Sequence, residues 1–506
     1  MIGQSAYATA PWPHSDSLAR AGFRIRLVAA IAVVLLAGAF AAAVVVSDGS
    51  PYLVAPFAAA FCGIALLVWP RSGLYVLFGA AILLEEWGIA GLNPITTETH
   101  FFQNISGYSA IPIRLSMADL LALLAVIAWG LRRLVGANPP ARLGPIGWPV
   151  FAYGALFVVG LAVGIVRGGA WNMTAALAEL RGPLFLCITY FLTVNLVRKP
   201  AHVSVLLRTL IVLTAIKAVE GLWNYWQMTN GPIWLDAVTA HEDVVFFDLS
   251  IVLAVGAYVL GLRSRLAWLL YASVPLILAT ELVTQRRVGF IALGGAVIVL
   301  AALLASLKPR RTALLFGSAT VLFLAYSVIA WDQQGLLAQP IRAIRGAIDP
   351  GSLSARDLSS NWWRELEESN IAYTIKQLPI TGVGLGQEYL FEREPPPLTS
   401  FIYWRYMTHD AVLWVWLKAG VLGFAAFWAL VAQAALVGAR LFKRLPTADL
   451  KLVALAPMML LVIQVLFSTV DLGLTYSRNM IVLGVVLGLT AYLSRRAAEV
   501  AGARSA

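Results

Sequence analysis

Charged residues are scarce in this sequence, and cysteine is almost absent. Asp, Glu, Lys and Arg together make up 12% of the 506 residues, whereas 60% are hydrophobic. This balance lies outside the range of soluble globular proteins. The two cysteines, Cys62 and Cys187, both lie within apolar runs. The sequence therefore predicts neither a disulfide framework nor a cysteine metal site.

Long apolar runs account for most of the chain. A run of about 17–25 residues can cross a hydrocarbon core of roughly 30 Å, and its backbone must be helical because lipid offers no hydrogen-bond partners. We therefore predict an all-α polytopic membrane protein with about 12–14 transmembrane helices and one large extracytoplasmic loop. The fourteen candidate spans are 27–46, 52–69, 72–88, 116–131, 147–166, 183–197, 204–225, 247–262, 266–283, 288–307, 312–331, 411–437, 450–470 and 478–494.

These spans divide the chain into five predicted segments. They are a cytoplasmic tail without regular structure at 1–26, a first group of transmembrane helices at 27–331, the large loop with short helices at 332–410, a second group of transmembrane helices at 411–494 and a cytoplasmic tail at 495–506. The first apolar run has no clear small-residue cleavage site, which favours an anchor helix over a removable signal. The other predicted outer segments are 89–115, 167–182, 226–246, 284–287 and 471–477.

The formal net charge of +11 does not indicate a nucleic-acid partner, because the basic residues follow the predicted topology. When the N-terminus is placed inside and the spans alternate, the basic clusters fall on the cytoplasmic side, as the positive-inside rule requires. The loop 332–410 is then extracytoplasmic. The clusters are Arg132-Arg133, Arg198-Lys199, Arg263/Arg265, Lys308/Arg310/Arg311, Arg440/Lys443/Arg444 and Arg495-Arg496.

The large loop carries a helix and a glycine turn. Residues 361–378 place Trp363, Leu366 and Ile375 on one apolar stripe, which predicts a helix, and Pro379 ends it. The sequence Gly-Val-Gly-Leu-Gly at 382–386 permits a tight turn and the close approach of another group to the backbone. No strand–helix unit surrounds this turn, which excludes a dinucleotide-binding motif.

Several arginines break the positive-inside pattern by lying at the predicted outer helix ends. Each could extend its side chain to the outer lipid headgroups, but Arg286-Arg287 forms a charged pair between two apolar helices with almost no loop. One guanidinium group can donate two parallel hydrogen bonds to two oxygens of a phosphate. Several arginines converging on this face would suit the pyrophosphate of a lipid-linked donor. The arginines are Arg114, Arg167, Arg181, Arg286, Arg287, Arg364, Arg405 and Arg478.

Histidine is rare, and His409 lies where the large loop returns to an apolar run. Because the unperturbed pKa of histidine lies near neutrality, such a residue can take a proton from an attacking hydroxyl. An ordinary interfacial histidine is the alternative interpretation. The segment His241-Glu242-Asp243 is either a second polar contribution to a site or a solvated loop.

Some charged residues interrupt the apolar runs. Lys217 and Glu220 are three residues apart on one helix face, which predicts an internal ion pair. Such residues can also mark a transport pathway, although they do not repeat in corresponding halves of the chain. The set is Asp119, Lys217, Glu220, Glu281 and Lys418.

A series of motifs runs from residue 364 to residue 424. Arg-Glu-Leu-Glu-Glu at 364–368 is followed by Pro379 and the glycine turn, and His409 then precedes a helix with a Gly-Val-Leu-Gly step at 420–423. This arrangement resembles the signature region of the O-antigen ligase and exopolysaccharide polymerase superfamily. Weaker resemblances occur at 114–119, 179–181 and 285–290, where Arg287 is the aligned residue. Many members have asparagine after the histidine, where this chain has Asp410.

The resemblance implies a metal-independent glycosyltransferase, without a cofactor, at the periplasmic face of the bacterial inner membrane. Its implied partners are an undecaprenyl-diphosphate-linked glycan donor, a glycan or lipid A-core acceptor, and membrane lipids. His409 would be the catalytic base or the acceptor-orienting group. Arg287, Arg181, Arg364 and Arg286 would hold the diphosphate of the donor.

Two questions stay open at the level of sequence. The same site could serve a ligase, which transfers onto lipid A-core, or a polymerase, which extends exopolysaccharide or O-antigen repeats. A polysaccharide transporter or lipid flippase is the alternative from a different class. No two acidic residues stand out as the paired carboxylates of a glycosidase.

Overall fold

The computed structural model describes residues 15–47, 54–89, 92, 94–109, 113–230, 237–333, 335–349, 351, 353, 355–398 and 401–505. Within these ranges the chain is helical and contains no strand, which confirms the all-α prediction. Residues 1–14 of the predicted N-terminal tail, 231–236 of the predicted outer segment 226–246, and six residues of the predicted large loop lie outside them.

Eighteen α-helices form the described part of the molecule. In chain order they are α1 (Ser15–Val46), α2 (Val54–Val68), α3 (Arg71–Leu83), α4 (Ile95–Glu98), α5 (Ile105–Tyr108), α6 (Met117–Leu134), α7 (Gly147–Arg167), α8 (Met173–Leu196), α9 (Pro200–Thr229), α10 (Asp243–Leu260), α11 (Arg265–Thr284), α12 (Arg287–Ala305), α13 (Pro309–Ala330), α14 (Gln339–Ile348), α15 (Ala355–Gln377), α16 (Ala411–Arg444), α17 (Ala448–Ser468) and α18 (Ser477–Ser505).

The number of candidate membrane-crossing helices lies at or just below the low end of the predicted range of 12–14. In the described ranges, eleven helices are long and apolar enough to cross a membrane, and the pair α2–α3 makes twelve if it is one broken span. The predicted spans 52–69 and 72–88 are therefore not two full crossings, because their helices are short and bent by 115° to each other. The predicted span 116–131 forms α6. This helix is not among the eleven, because it carries the three charged residues Asp119, Arg132 and Arg133.

Helices extend into three of the predicted segments outside the spans. The predicted outer segment 167–182 and span 183–197 are divided differently, because α8 begins at Met173 and includes Arg181. Residues 15–26 belong to α1, so the predicted N-terminal tail has regular structure where it is described, and α18 continues through residues 495–505. Good helix formers such as alanine and arginine continue these helices past their apolar cores, and the i,i+3 pair Arg496–Glu499 supports α18.

The chain divides into two compact units. The first comprises residues 1–77 and 118–142; in it α1 contacts α2, and the Arg132 guanidinium donates to the carbonyl of Leu67 at 2.6 Å. The second comprises residues 78–117 and 143–506 and contains every residue of the candidate site.

Within the second unit, α10, α17 and α18 are buried along most of their length. The most extensive helix–helix contact joins α8 to α18, where the Thr189 hydroxyl lies 2.7 Å from the carbonyl of Phe185 and 3.2 Å from that of Ile481. Small and hydroxyl-bearing residues at such contacts let helix backbones approach closely in a membrane protein.

Several charged side chains inside the second unit are paired with charges of the opposite sign. The predicted ion pair of Lys217 and Glu220 is confirmed at 2.9 Å, and Glu85 contacts the same ammonium group. The Arg478 guanidinium is completely buried and contacts Glu242 at 2.7 Å and Asp243 at 2.5 Å. Pairing of this kind allows charges to persist in an apolar interior.

Candidate active site

A cavity of about 460 Å³ opens where α12, α14 and α15 meet the segment that follows α17. Five arginines line it, against the two carboxylates of Asp357 and Asp471. We call this space the arginine cavity. Its net positive lining suits an anionic ligand, because guanidinium groups bind phosphate oxygens through charge-assisted hydrogen bonds. The five arginines are Arg286, Arg287, Arg342, Arg345 and Arg364.

Arg287 is the first residue of α12 and faces α15 across the arginine cavity. Its guanidinium lies 3.2 Å from a carboxylate oxygen of Asp357 and donates to the side-chain oxygen of Asn361 at 3.3 Å. The chain turns sharply just before it, because Gln285 has φ 57° and ψ 31°, a left-handed conformation that non-glycine residues rarely adopt. This turn separates α11 from α12 and places Arg286 and Arg287 at the cavity.

The helix predicted at 361–378 is present as α15, which starts six residues earlier and ends at Gln377, before Pro379. Arg364 and Glu367 are three residues apart on it and therefore lie on the same side of the helix. Arg364 lines the arginine cavity, whereas the Glu367 carboxylate is 1% exposed and faces His409. One helix thus presents a cation to the cavity and a buried acid to the histidine.

His409 and Glu367 form a carboxylate–imidazole pair. The two carboxylate oxygens lie 3.3 Å and 3.2 Å from Nδ1 of His409, and one of them also accepts from the His409 backbone N–H at 2.9 Å. Two facing acceptors place the ring hydrogen of the neutral tautomer on Nδ1. Nε2 then carries the free lone pair, and the imidazole is 22% exposed.

The surroundings of His409 make its ring more basic. Burial lowers the pKa of His409, but the hydrogen bond and negative charge of Glu367, with the charge of Asp471, outweigh it and raise the pKa above the ordinary histidine value. Trp363 packs edge to face against the imidazole with ring centroids 5.3 Å apart and fixes its plane. The His409 imidazole is therefore held at Nδ1 by Glu367 and through its ring by Trp363.

Asp471 connects the arginine cavity to a second histidine. Its carboxylate lies 3.0 Å from Nδ1 of His241, whose side chain is 41% exposed. Burial raises the pKa of Asp471, but the charge and hydrogen bond of His241 and the charge of His409 hold it well below its usual range, so the group stays ionised. Of the two interpretations of segment 241–243, the structure favours a polar contribution to the site, because His241 contacts this lining residue.

The glycine turn at 382–386 fixes the segment that follows α15, as predicted. Gly384 has φ 87°, and a Cβ there would lie 2.3 Å from the backbone nitrogen of Gly164. The Gly386 N–H donates to the Glu179 carboxylate at 2.6 Å, and Lys418 contacts the same carboxylate at 2.9 Å. The turn therefore packs against α7, α8 and α16.

Loss of the Lys418 charge is expected to destabilise this arrangement strongly. Lys418 and Glu179 are both fully buried, so Lys418→Met leaves an uncompensated carboxylate and costs about 3–5 kcal/mol. We expect a clear fall in the thermal unfolding temperature of the purified protein in nanodiscs. Adding Glu179→Gln should recover part of it, because an amide oxygen can still accept from Gly386. Lys443→Met, on the exposed end of α16, is the matched control, and equal unfolding temperatures for the two lysine variants would contradict the prediction.

Arg181 does not join the other predicted diphosphate-binding residues. It lies on α8, donates to the side-chain oxygen of Asn104 at 2.7 Å, and lines a second cavity of about 260 Å³. We call this second space the aromatic cavity, after the five aromatic side chains that line it: Trp87, Phe102, Phe401, Tyr403 and Tyr476. The structure thus brings together Arg286, Arg287 and Arg364 but places Arg181 in a different cavity.

The other predicted outer arginines line neither cavity. Arg167 donates to the carbonyls of Val383 and Gly382, Arg405 pairs with Glu388 and Glu394, and Arg478 is buried in its ion-pair cluster. Arg114 is exposed.

Sequence reasoning missed four residues of the site, namely Arg342, Arg345, Glu367 and Asp471. Glu367 could have been found from its position three residues after Arg364 on a predicted helix. Asp471 could have been found as the first charged residue after the apolar run 450–470. Arg342 and Arg345 carried no signal beyond their charge within the large loop.

A comparison with known protein families finds a match over the region that contains most of the candidate site. The family model described as O-antigen ligase matches residues 272–428. This range contains the five arginines of the arginine cavity, Glu367, the glycine turn and His409. A search of curated proteins finds no match. Residues 272–428 are therefore similar to the O-antigen ligase family, which supports a glycosyltransferase of the ligase or polymerase type in general.

Proposed function

We propose that this protein transfers a glycan from undecaprenyl diphosphate to a sugar hydroxyl at the periplasmic face of the bacterial inner membrane. The observation that carries the proposal is the arginine cavity beside the His409–Glu367 pair, two features that match the two needs of the reaction. The leaving diphosphate needs positive charge, and the acceptor hydroxyl needs a base. The match of residues 272–428 to the O-antigen ligase family supports this type of reaction.

The arginine cavity suits the diphosphate of the donor. As the glycosidic bond breaks, its electron pair moves to a diphosphate oxygen, and the negative charge there grows. Arg287 and Arg364 approach from α12 and α15, so the charge is met from two sides. Fixed cations inside a cavity stabilise such developing charge without reorganising at the moment of reaction. The N-terminus of α12 adds the partial positive charge of its helix dipole.

His409 suits the role of base. The acceptor oxygen attacks the anomeric carbon and its proton passes to Nε2, while the Nδ1 hydrogen stays on the ring and is donated to the Glu367 carboxylate. Because the bond to the acceptor forms as the bond to the diphosphate breaks, attack comes from the opposite side and the anomeric configuration inverts. The raised pKa of His409 favours this proton transfer.

We propose that the reaction needs no metal ion, because the arginines supply the positive charge that a divalent cation would otherwise bring. Among the described residues, no three or more His, Cys, Asp or Glu side chains form a group that could hold a metal ion. The proposed orientation, with the large loop periplasmic and both termini cytoplasmic, rests on the distribution of basic clusters.

Reconstitution tests the proposal. We expect the purified chain in proteoliposomes to form a new glycosidic bond and release undecaprenyl diphosphate when supplied with a lipid-linked oligosaccharide, at a rate that EDTA leaves unchanged. Lipid A-core as the required acceptor would identify a ligase, whereas a second lipid-linked oligosaccharide would identify a polymerase. NMR of the product would show inverted anomeric configuration.

A transporter is the outcome that would contradict the proposal. In that case the protein moves the lipid-linked oligosaccharide across the bilayer and forms no glycosidic bond. The paired state of Lys217 and Arg478 favours a structural role for these two charges over a place in a transport pathway.

A further inference from the structure

The aromatic cavity has a lining quite different from that of the arginine cavity. Tyr403 contacts two further rings of the lining, with its centroid 5.9 Å from that of Trp87 and 6.2 Å from that of Phe401. Flat aromatic surfaces pack against the C–H faces of pyranose rings. Clefts that combine such surfaces with a few placed polar groups are typical of small-ligand sites. The lining therefore suits a sugar.

The polar groups of the aromatic cavity suit hydroxyl groups better than phosphate. Its charged lining residues are Arg181 and Glu86, so the cations and anions balance, whereas in the arginine cavity five arginines face two carboxylates. Gln103 and Asn104 add carboxamides, which can both donate and accept. The Glu86 carboxyl group accepts hydrogen bonds from the Ser477 N–H at 2.8 Å and from the Ser477 hydroxyl at 2.7 Å. A balanced set of donors and acceptors fits a neutral polyhydroxyl ligand.

The position of the aromatic cavity relative to His409 fits the geometry of displacement. Met407, two residues before His409, lines it, and so does Leu472, whose neighbour Asp471 lines the arginine cavity. The two cavities thus share the short segment 471–472. Direct displacement requires the attacking hydroxyl to approach opposite to the departing diphosphate, so the acceptor must be held apart from the arginine cavity.

We propose that the aromatic cavity binds the acceptor sugar whose hydroxyl His409 deprotonates, with Trp87 as a packing surface and Arg181 and Asn104 as hydrogen-bonding groups. This assignment rests on the proposed transferase function. It gives Arg181 a role in acceptor binding in place of the diphosphate-binding role predicted from sequence.

Kinetics with two variants test the assignment. Trp87→Ala removes the packing surface, and Arg181→Gln removes the charge while keeping a side-chain donor for Asn104. We expect each to raise the KM for the acceptor by about tenfold, with the donor KM changed by less than about twofold. Trp87→Phe, which keeps a flat ring, should recover most of the affinity. Trp148→Ala and Arg444→Gln are matched controls at exposed positions that line neither cavity.

A binding measurement without donor separates this inference from the proposed function. The probes are two oligosaccharides, the core freed from lipid A and the repeat unit freed from its lipid diphosphate. Saturation-transfer NMR with the full chain in nanodiscs should show contact with one of them, and titration should show about tenfold weaker binding to Trp87→Ala. Unfolding temperatures equal to that of the wild-type protein would confirm that the variants are folded.

The outcomes are distinct. If transfer occurs but neither variant changes the acceptor KM, or if Arg181→Gln raises the donor KM, the acceptor assignment is overturned and the transferase stands. If no transfer occurs with any acceptor but oligosaccharide binding is weakened in Trp87→Ala, the sugar site stands and the transferase fails.

Discussion

Replacing His409 with alanine is expected to lower kcat for glycan transfer by about 10²- to 10⁴-fold, the usual contribution of a general base. The donor KM should change little, because His409 does not line the arginine cavity. The Nε2 lone pair is the group lost, and water cannot replace it at the position fixed by Glu367 and Trp363. Single-turnover rates with saturating donor and acceptor would measure the effect on the chemical step.

The pH dependence identifies which proton is involved. The base works only when neutral, so the rate should fall as the pH drops through the pKa of His409, which lies above the ordinary histidine value. Glu367 raises that pKa by hydrogen bond and charge. Glu367→Gln should therefore move the acidic limb of the kcat profile to lower pH and reduce kcat on the plateau.

Asp410 is the necessary control, since burial raises the pKa of its carboxyl to about 6 and it could titrate in the same range. Asp410→Asn removes this titration and keeps the helix cap, because asparagine caps as well as aspartate, and the Asp410 side chain accepts from Leu413 N–H at 2.8 Å. The acidic limb should persist in this variant. If it disappears there but survives in Glu367→Gln, the base is not His409.

Replacing Arg287 or Arg364 with glutamine is expected to lower kcat/KM for the donor by about 10²- to 10³-fold each, the loss found when one donor to a developing oxyanion is removed. Both side chains face the arginine cavity, where the diphosphate charge is placed by our proposal. Lysine at either position should recover only part of the rate, because it restores the charge but not the paired donors of guanidinium. Steady-state kinetics at saturating acceptor would measure this.

Asp357 provides an internal control for the Arg287 variant. Its carboxylate contacts Arg287 at 3.2 Å, and both side chains are about a quarter exposed, at 25% and 23%. Such a partly solvated pair contributes little to stability. Asp357→Asn should therefore leave the protein folded and keep or improve the donor KM, since a competing anion is removed. A loss of activity equal to that of Arg287→Gln would show that the pair serves structure instead of the diphosphate.

The sequence predicts features that depend on local pattern. Apolar runs mark the helices, and Arg286-Arg287 and His409 stand out because they lie where apolar runs end. The glycine turn and α15 follow from local conformational preferences. Each of these signals is contained in a short window of residues.

Other features depend on partners that are distant in the chain. Glu179 and Arg181 suggested an outer segment, but they lie in α8, because Lys418 of α16 neutralises Glu179 and Asn104 accepts from Arg181. The contact with Asn104 also holds Arg181 in a different cavity from Arg287. The role of Glu367 depends on its contact with His409, which lies 42 positions later in the chain. Hydropathy and spacing do not contain such pairings.

The Glu367 carboxylate binds His409 twice, through the backbone N–H and through the ring. A single acid thus tethers the position of the segment ending at His409 and also sets the strength of its base. Any displacement of this segment from α15 breaks both contacts together, so the imidazole loses its orientation and its added basicity in the same movement. A base held in this way would be competent only while its segment stays against α15.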